Sequence, residues 1–386
     1  MSYLNIEKLC EVAEKSGVDA VHPGYGFLAE NSAFAEAVEK LGLIWVGPPA
    51  EVMKKIESKC FSRKLATEAG VPVIPGSIEP VDMNKAAEYL ERFGSILVKA
   101  DLGGGGKGMK IIRSQDELQK IFESAQREAN MAFGRSSMYV EKMLERPRHI
   151  EVQILADKFG NVISLGEREC SIQRRYQKII EESPSPVVDE KTREHISDLA
   201  KRVVKKCGYR NAGTVEFLRD EDGNFYFLEI NKRIQVEHPV TELVTGIDLI
   251  EQQLRIASGE PLNLDSDIKP HGHSMECRVY AEDSITFLPF PGKITKVKLP
   301  EGVRVDHALE AGVNIPPFYD PLIAKVIVYT QNRETSIYMM KKALQEFEIE
   351  GIKTTIPFLQ SLLDNKKFQK GDINTQLISE FQSPVS

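Results

Sequence analysis

Residues 214–231, in the middle of the chain, read TVEFLRDEDGNFYFLEIN. Two runs rich in apolar residues flank a polar turn, which predicts a β-hairpin. If the hairpin is symmetric about the bond between Asp222 and Gly223, Glu216 and Glu229 lie directly opposite each other. Opposed like charges destabilise a sheet, and paired carboxylates are typical ligands of Mg²⁺ or Mn²⁺. The hairpin therefore predicts a metal site. The alternative is a register shifted by one residue, with one glutamate on a solvated face.

A polar stripe continues beyond the hairpin. Its alternating members are Glu229, Asn231, Arg233, Gln235 and Glu237. An extended backbone would place all of them on one face. Arg233 is suited to bind a small anion through two hydrogen bonds, and Glu237 could act as a general base beside it. The alternative is an edge strand with a solvated outer face, which explains the alternation but not the variety of groups.

A glycine-rich loop at residues 101–108 reads DLGGGGKG and lies between predicted strands at 96–100 and 109–113. A dinucleotide-binding loop would be followed by a helix, and a Walker loop needs Ser or Thr where Gly108 stands. What remains is a glycine-rich hairpin. Its backbone N–H groups can approach phosphates closely, and its mobility suits a lid over a nucleotide. A plain flexible hairpin is the alternative.

A basic run at residues 173–178 reads QRRYQK. Basic runs are usually solvated surface stretches. A role in anion binding requires that the fold bring this run close to Arg233.

Composition narrows the class of protein. The chain has 386 residues and a formal net charge of −7, which argues against a general nucleic-acid binder. No apolar run is long enough to predict a membrane span. Five scattered cysteines without a Cys-x-x-Cys motif indicate free thiols in a reducing cytoplasm. Helix and strand alternate over residues 5–46, which predicts a parallel sheet. Strands and helices mix later, so the expected class is α/β and α+β.

These motifs, in this order, resemble the biotin carboxylase family of ATP-grasp enzymes. The matching segments are HPGYGFLAEN at 22–31, GGGGKGM at 103–109, EK at 141–142, RHIEVQ at 148–153, ERECSIQRR at 167–175, EIN at 229–231 and RIQVEHPVTE at 233–242. The resemblance covers nearly the whole chain, to about residue 376. Segment 233–242 is highly specific, whereas the glycine loop alone is not.

The resemblance implies three domains. Residues 1–54 would form a partial N-terminal domain with an open parallel sheet. Residues 55–270 would form the ATP-grasp domain, with its glycine-rich lid at about 73–140. Residues 271–386 would form a mixed α+β C-terminal domain.

The resemblance also implies a two-step reaction. ATP and bicarbonate form carboxyphosphate and ADP, and CO₂ from carboxyphosphate is then captured at the ureido nitrogen of biotin. The implied cofactors are ATP and two Mg²⁺ or Mn²⁺ ions, with biotin as a carrier-bound substrate. The implied partners are a biotin carboxyl carrier protein and a carboxyltransferase subunit. A homodimer is expected if the N-terminal domain is complete, and neither a nucleic acid nor a membrane is expected as a partner.

Site roles follow from the resemblance, position by position. The implied nucleotide contacts are Lys59, Lys99, Gly104, Gly105, Gly106, Glu141, Lys142, Leu144, His149 and Gln173. The implied metal ligands are Glu216 and Glu229, with Asn231 beside them. The implied bicarbonate contacts are Lys178, Arg233, Gln235 and Val236. Glu237 matches the base that deprotonates bicarbonate, and Arg304 matches the residue that steadies the biotin enolate.

The chain departs from the family pattern at three places. Tyr176 stands where many members have histidine, and Lys232 replaces a small hydroxyl residue. The family normally begins with a further strand-helix-strand portion, so about half of the opening parallel sheet is expected to be missing. Two alternatives stay open at this point: another ATP-grasp ligase, and an inactive, shortened relative that serves in binding.

Overall fold

The computed structural model describes residues 2–103, 106, 108–265 and 268–382. After a 3₁₀ turn at Ser2–Leu4, the helices are α1 (Ile6–Ser16), α2 (Ser32–Lys40), α3 (Ala50–Lys55), α4 (Lys59–Glu68), α5 (Met83–Phe93), α6 (Gln115–Phe133), α7 (Glu190–Cys207), α8 (His238–Thr245), α9 (Leu249–Ala257), α10 (Arg333–Glu346), α11 (Ile356–Leu363), α12 (Lys366–Gln369) and α13 (Leu377–Gln382). Within the described ranges, none of the helices has the length and apolar character needed to cross a bilayer.

The strands alternate with these helices, as expected for a mixed α/β and α+β fold. They are β1 (Ala20–Val21), β2 (Ile44–Trp45), β3 (Ile96–Ala100), β4 (Lys110–Ile112), β5 (Met138–Lys142), β6 (Arg148–Ala156), β7 (Val162–Arg174), β8 (Gln177–Ser183), β9 (Asn211–Arg219), β10 (Phe225–Asn231), β11 (His273–Tyr280), β12 (Gly292–Lys293), β13 (Lys296–Lys298), β14 (Arg304–His307), β15 (Asn314–Ile315), β16 (Leu322–Thr330) and β17 (Glu348–Glu350).

The chain forms two compact units. The first unit contains Met1–Leu165, Glu190–Val236 and Asp248–Asp267, and the second contains Gly166–Asp189, Glu237–Ile247 and Ile268–Ser386. One of the passages between them falls inside β7. Another falls between the consecutive residues Val236 and Glu237.

The first unit holds a parallel pair and two antiparallel sheets. β1 pairs with β2 in parallel, as predicted for the opening segment. β4, β3 and β5 form an antiparallel sheet whose apolar residues pack with those of α5 and α6. The glycine loop joins β3 to β4, so the predicted hairpin is confirmed. The second antiparallel sheet has the order β10-β9-β6, and α4, α7 and α9 pack against it.

The predicted pairing of Glu216 with Glu229 is confirmed, but the predicted symmetry of the hairpin is wrong. Near the turn, Phe217 pairs with Phe227, which centres the turn on Asp222 rather than on the following peptide bond. A bulge between Phe227 and Glu229 then shifts the register by one residue. Residues two apart in a regular strand share a face. The bulge lets the Phe227 side chain enter the core while Glu229 points to the opposite face.

The prediction that an extended stripe runs to Glu237 is also wrong. β10 ends at Asn231, and Glu237 is the N-cap residue of α8, with a backbone φ of −82° and ψ of 10°. Pro239 near the start of α8 favours a helix at this point, because its missing N–H costs nothing in a first turn.

The second unit is built on antiparallel strands in the order β7-β8-β11-β16-β14. Along β11 the side chains alternate. Met275, Cys277 and Val279 join the apolar core that α10 and α11 complete. Glu276 and Arg278 point to the other face, where α8 packs. The basic run forms the tight turn between β7 and β8, with Arg175 and Tyr176 at positive φ.

Candidate active site

Three carboxylates form a row across one sheet of the first unit. Glu151 on β6 lies opposite Glu216 on β9, which in turn lies opposite Glu229 on β10. Glu151 and Glu216 are buried. Three adjacent acidic groups repel one another strongly where water is scarce. We call Glu151, Glu216 and Glu229 the carboxylate row.

Nitrogen donors surround the carboxylate row. The imidazole Nε2 of His149 lies 3.1 Å from an oxygen of Glu216. Gln235 Nε2 donates to the other oxygen of Glu216 over 3.4 Å. The ammonium of Lys59 contacts Glu229. Burial alone would lower the pKa of Lys59, but the negative charges of Glu229, Glu216 and Glu141 raise it above its ordinary value. Lys59 is therefore a firmly charged cation at the edge of the row.

The donor set fits a divalent metal ion. Ligand atoms of His149, Glu151 and Glu216 lie within 4.8 Å of one another. Carboxylate oxygens are the ligands that Mg²⁺ and Mn²⁺ prefer. Asn231 stands two residues after Glu229, and its buried Nδ2 has no hydrogen-bond partner among the described residues. A buried donor without a partner is costly, which indicates that a polar ligand binds close to it.

The predicted nucleotide residues Lys99 and Glu141 form one buried ion cluster. Lys99 Nζ donates to Glu141 over 3.0 Å, and Arg63 contacts the other carboxylate oxygen. Arg63 also donates to the carbonyls of Ile74 and Ser77. Burial alone would raise the pKa of Glu141, but the charges of Lys99 and Arg63 hold it below its ordinary value. The Glu141 side chain therefore positions Lys99.

The start of the glycine loop is hydrogen-bonded to the first turn of α4. Asp101, at the end of β3, accepts hydrogen bonds from Ser58 Oγ and the Cys60 amide, both over 2.8 Å. The Lys59 amide donates to the Asp101 carbonyl over 2.9 Å. The first turn of α4, and with it Lys59, is thus fixed to the base of the loop. Gly106 has a φ of 74°, a value that favours glycine, whereas Gly104 and Gly105 lie outside the described residues.

Arg233 is held by its own neighbours in the sequence. Its guanidinium donates to Gln235 Oε1 over 2.8 Å and to Asn231 Oδ1 over 3.4 Å. Glu30 lies 3.7 Å from its Nε and accepts the Lys232 amide. The side chains of Asn231, Arg233 and Gln235 are therefore hydrogen-bonded to one another through Arg233, although the backbone between them is not a strand.

Glu237 is the most enclosed of the predicted site residues, with 0% of its surface exposed. In the second unit, Lys178 Nζ lies 2.6 Å from Oε1 of Glu237, and Arg278 Nη2 lies 2.8 Å from Oε2. Burial would raise the pKa of this carboxyl. The charges of Lys178, Arg278 and Arg168 instead hold it well below its ordinary value. We call these four residues the Glu237 cluster.

Arg304 on β14 is fixed by two acids of the second unit. It donates to both oxygens of Asp306, over 2.8 and 3.1 Å, and to Glu242 of α8 over 2.9 Å. Burial alone would lower the pKa of Arg304, but these two acids raise it. Its guanidinium is therefore a permanently charged and oriented donor.

The other predicted contacts have simpler surroundings. Gln173 is buried and donates to the Cys170 carbonyl over 2.8 Å. The Lys142 side chain is exposed, and its amide donates to the Pro75 carbonyl. Leu144 and Val236 are half-buried. The predicted anion-binding role of the basic run near Arg233 stays a prediction.

Several residues of these clusters were not predicted from the sequence. Glu151 could have been found, because His149, Glu151 and Gln153 alternate along a predicted strand. Arg278 and Glu276 alternate with apolar residues of β11 in the same way. The burial of Arg63 could not be predicted from the sequence, because one arginine in a helix usually faces water.

Three family models match the chain. They describe the biotin carboxylase N-terminal domain at residues 1–53, the ATP-binding domain of the carbamoyl-phosphate synthase L chain at 58–265, and the biotin carboxylase C-terminal domain at 276–380. The second of these models alone matches more than half of the chain.

Named relatives agree with these models. A pyruvate carboxylase subunit of Methanothermobacter thermautotrophicus is 49% identical over 100% of this chain and 79% of its own length. Biotin carboxylase of Halalkalibacterium halodurans is 48% identical over 98% and 85%. A crystal structure of the biotin carboxylase domain dimer of Hydrogenobacter thermophilus 2-oxoglutarate carboxylase, with MgADP, ADP and bicarbonate, has a TM-score of 0.96. It is 45% identical to this chain and covers 98% of it, over 85% of its own length.

Proposed function

The chain belongs to the biotin carboxylase family and is an ATP-dependent ligase, and we propose that it forms carboxyphosphate from ATP and bicarbonate and then carboxylates biotin on a carrier protein. The observation that carries this proposal is the Glu237 cluster, in which a fully buried carboxylate is hydrogen-bonded to two cations.

The first unit supplies the nucleotide-binding groups. Lys59 and Lys99 bind phosphates, and the main chain at Glu141 and Leu144 binds adenine. Gly104, Gly105 and Gly106 belong to the lid, which shields the short-lived carboxyphosphate from water when it closes. Lys142, His149 and Gln173 are the remaining nucleotide contacts.

The carboxylate row would hold the metal, with Glu216 and Glu229 as ligands and Asn231 beside them. A bound Mg²⁺ or Mn²⁺ ion offsets negative charge on the phosphoryl group during transfer. Support comes from the row itself, because three adjacent carboxylates create a strongly negative potential that favours a divalent cation. Lys59 contacts Glu229, so a phosphate-binding cation and a metal-binding carboxylate lie side by side.

Glu237 removes the proton of bicarbonate. The deprotonated oxygen attacks the γ-phosphorus, the bond from phosphorus to ADP breaks, and carboxyphosphate forms. While Lys178 and Arg278 contact Glu237, its low pKa makes it a weak base. An anion that also binds Lys178 and Arg278 weakens the stabilisation that they give to ionised Glu237, and so raises the proton affinity of Glu237. Arg233, Gln235 and Val236 complete the bicarbonate contacts.

Arg304 steadies the biotin enolate. Asp306 and Glu242 fix its orientation, so the guanidinium needs little reorganisation as negative charge develops on the ureido oxygen. In the remaining step carboxyphosphate breaks down to CO₂ and phosphate, the phosphate takes the proton of the ureido N–H, and the nitrogen attacks CO₂.

Biotin carboxylase subunits work with carrier and carboxyltransferase partners. For this chain we propose a homodimer that works with a biotin carboxyl carrier protein and a carboxyltransferase subunit. The domain in the Hydrogenobacter thermophilus structure is a dimer, which supports the first part. The three-domain division at 54/55 and 270/271 is part of the proposal. A cytoplasmic location is also part of it, supported by five free cysteines.

The proposal is tested by ADP release with MgATP and bicarbonate. Glu237→Gln should lower the rate at least about 100-fold, because a general base typically contributes that much. Glu251→Gln, which changes an exposed glutamate of α9, is the control and should keep the wild-type rate. MgATP should still raise the melting temperature of Glu237→Gln. Equal rates for the wild type and Glu237→Gln would contradict the proposal.

A further inference from the structure

A second pair of opposed glutamates, neither of which was given a role above, lies in the second unit. Glu181 on β8 pairs directly with Glu276 on β11. Both residues are 0% exposed. Glu181 Oε2 and both carboxylate oxygens of Glu276 are buried and have no hydrogen-bond partner among the described residues. Lys325 Nζ approaches Glu276 only to 3.9 Å, which is too far for a hydrogen bond.

Arg278 connects this pair to the proposed base. Its Nε donates to Oε1 of Glu181 over 2.6 Å, and its Nη2 donates to Oε2 of Glu237 over 2.8 Å. One guanidinium is therefore shared by two carboxylates. Two buried carboxylates directly opposed on a ladder cannot both ionise without a large cost.

We propose, on the basis of the function proposed above, that the pair Glu181–Glu276 keeps one proton in the resting enzyme, and that the ionisation of Glu181 sets, through Arg278, the strength of Glu237 as a base. When Glu181 is ionised, Arg278 divides its charge between two carboxylates, and Glu237 binds a proton more readily. When Glu181 is protonated, the whole charge of Arg278 acts on Glu237, which becomes a weaker base. Glu181 is thus a positioning residue that acts through Arg278.

The protonation of Glu181 and Glu237 also depends on the other charged and titratable groups in and around this arrangement. They are Lys178 on β8, Glu276, Cys277, Arg278 and Tyr280 on β11, Arg168 on β7, Lys325 on β16, and Glu237, His238 and Glu242 at the start of and along α8. Lys325 also lies 3.2 Å from Asp306, so its charge is not available to Glu276 alone.

Burial and the neighbouring charges act on both carboxyls of the pair. Burial raises the pKa of Glu181 to about 7; Arg278 and Lys178 oppose the rise, and the negative charge of Glu237 adds to it. Burial raises the pKa of Glu276 well above its ordinary value, and the charge of Glu181 adds to this effect. Burial therefore favours the protonated form of Glu276, and Glu181 loses its proton as the pH rises through about 7.

The test is the pH dependence of kcat and of KM for bicarbonate in ADP release with MgATP. In the wild type, kcat should rise as the pH increases through about 7. Glu181→Gln imitates the protonated form, so it should lose this rise. At pH 8 its kcat should be roughly tenfold lower, the effect of about one pKa unit on the base. Its KM for bicarbonate should not increase, because a negative charge has been removed.

Two matched variants separate this role from a structural one. Glu276→Gln resembles the protonated acid and should keep the rise in kcat near pH 7. Glu182→Gln changes the next residue on β8, whose carboxylate pairs with Arg333 and His273, and should also keep it. A wild-type rise that persists unchanged in Glu181→Gln would overturn the inference.

A second measurement does not depend on turnover. Because the folded protein binds a proton at Glu181 that the unfolded chain has lost, stability should fall as the pH rises from about 5 to 7. The urea midpoint of the wild type should therefore fall relative to that of Glu181→Gln over this range. Parallel pH profiles would overturn the inference. Absence of bicarbonate-dependent turnover in the wild type would instead contradict only the proposed function.

Discussion

At the scale of single residues, buried ion pairs keep functional groups in a defined charge state. Glu237 is held ionised by Lys178 and Arg278, and Glu141 by Lys99 and Arg63. Such pairs seldom add much net stability, because desolvation offsets the attraction. Their value here is orientation, since each of these cations is fixed by a buried carboxylate.

Removal of Arg63 should be costly. Arg63→Met removes one of the two cations that contact the buried carboxylate of Glu141 and leaves Lys99 in contact with it, and we expect a loss of about 3–5 kcal/mol in the free energy of unfolding. The measurement is urea denaturation with linear extrapolation. The double variant Arg63→Met/Glu141→Gln should recover much of this loss, because no unpaired acid remains. A double variant that loses the sum of both single effects would show that the pair is not coupled.

The sequence allowed many of these residues to be proposed, but not their partners. Glu216 and Glu229 stand out because acidic residues at those positions interrupt apolar strands. Glu181 and Glu276 also interrupt apolar strands, yet their pairing depends on the register between β8 and β11. When two strands are not joined by a short turn, the sequence does not show which of their residues lie opposite each other.

At the scale of secondary-structure elements, the β9–β10 hairpin shows how one extra residue changes which side chains share a face. Phe217 and Phe227 pack edge to face, with ring centroids 6.5 Å apart. Glu216 and Glu229 pair one step further along the strands. Both pairings hold only because the extra residue, Leu228, sits in a bulge.

Deletion of Leu228 should therefore be tolerated. Without it, Phe227 and Glu229 become neighbours in a regular ladder, and each keeps its partner. We expect a free energy of unfolding within about 1 kcal/mol of the wild type, and MgATP should still raise the melting temperature. Deletion of Ile230 is the matched control. It would bring Asn231 opposite Val215, on the core face, and should abolish the MgATP effect. The same loss in both deletions would contradict the assignment of the bulge.

The bulge could not be predicted from the sequence. Leucine is common in strands, so nothing about Leu228 marks it as a bulge residue. A symmetric turn also predicts the same pairing of the two glutamates. Elements with strong periodicity were predicted well, such as the strand Ile96–Ala100 and the helix Arg333–Glu346. The strand over residues 225–231 was predicted with these bounds, but the expectation that an extended backbone continues to Glu237 was wrong, because the alternation of polar and apolar residues continues after the strand has ended.

At the scale of the whole molecule, distant segments of the chain combine to build each unit. The second unit takes Gly166–Asp189, Glu237–Ile247 and a long C-terminal part. The two cations bound to Glu237 are 59 and 41 residues away in the sequence. Local patterns do not reveal such groupings, because the free energy that selects them comes from non-local packing. Only the resemblance to a family indicated that these segments belong to one enzyme.

The most direct test of the central claim is the transfer of labelled bicarbonate to free biotin. With MgATP, the wild type should form acid-labile carboxybiotin, and each carboxybiotin should be accompanied by at least one ADP. Omission of ATP should abolish the label in biotin, and Glu237→Gln should lower it about 100-fold or more. Release of ADP by a folded protein that places no label in biotin would contradict the account.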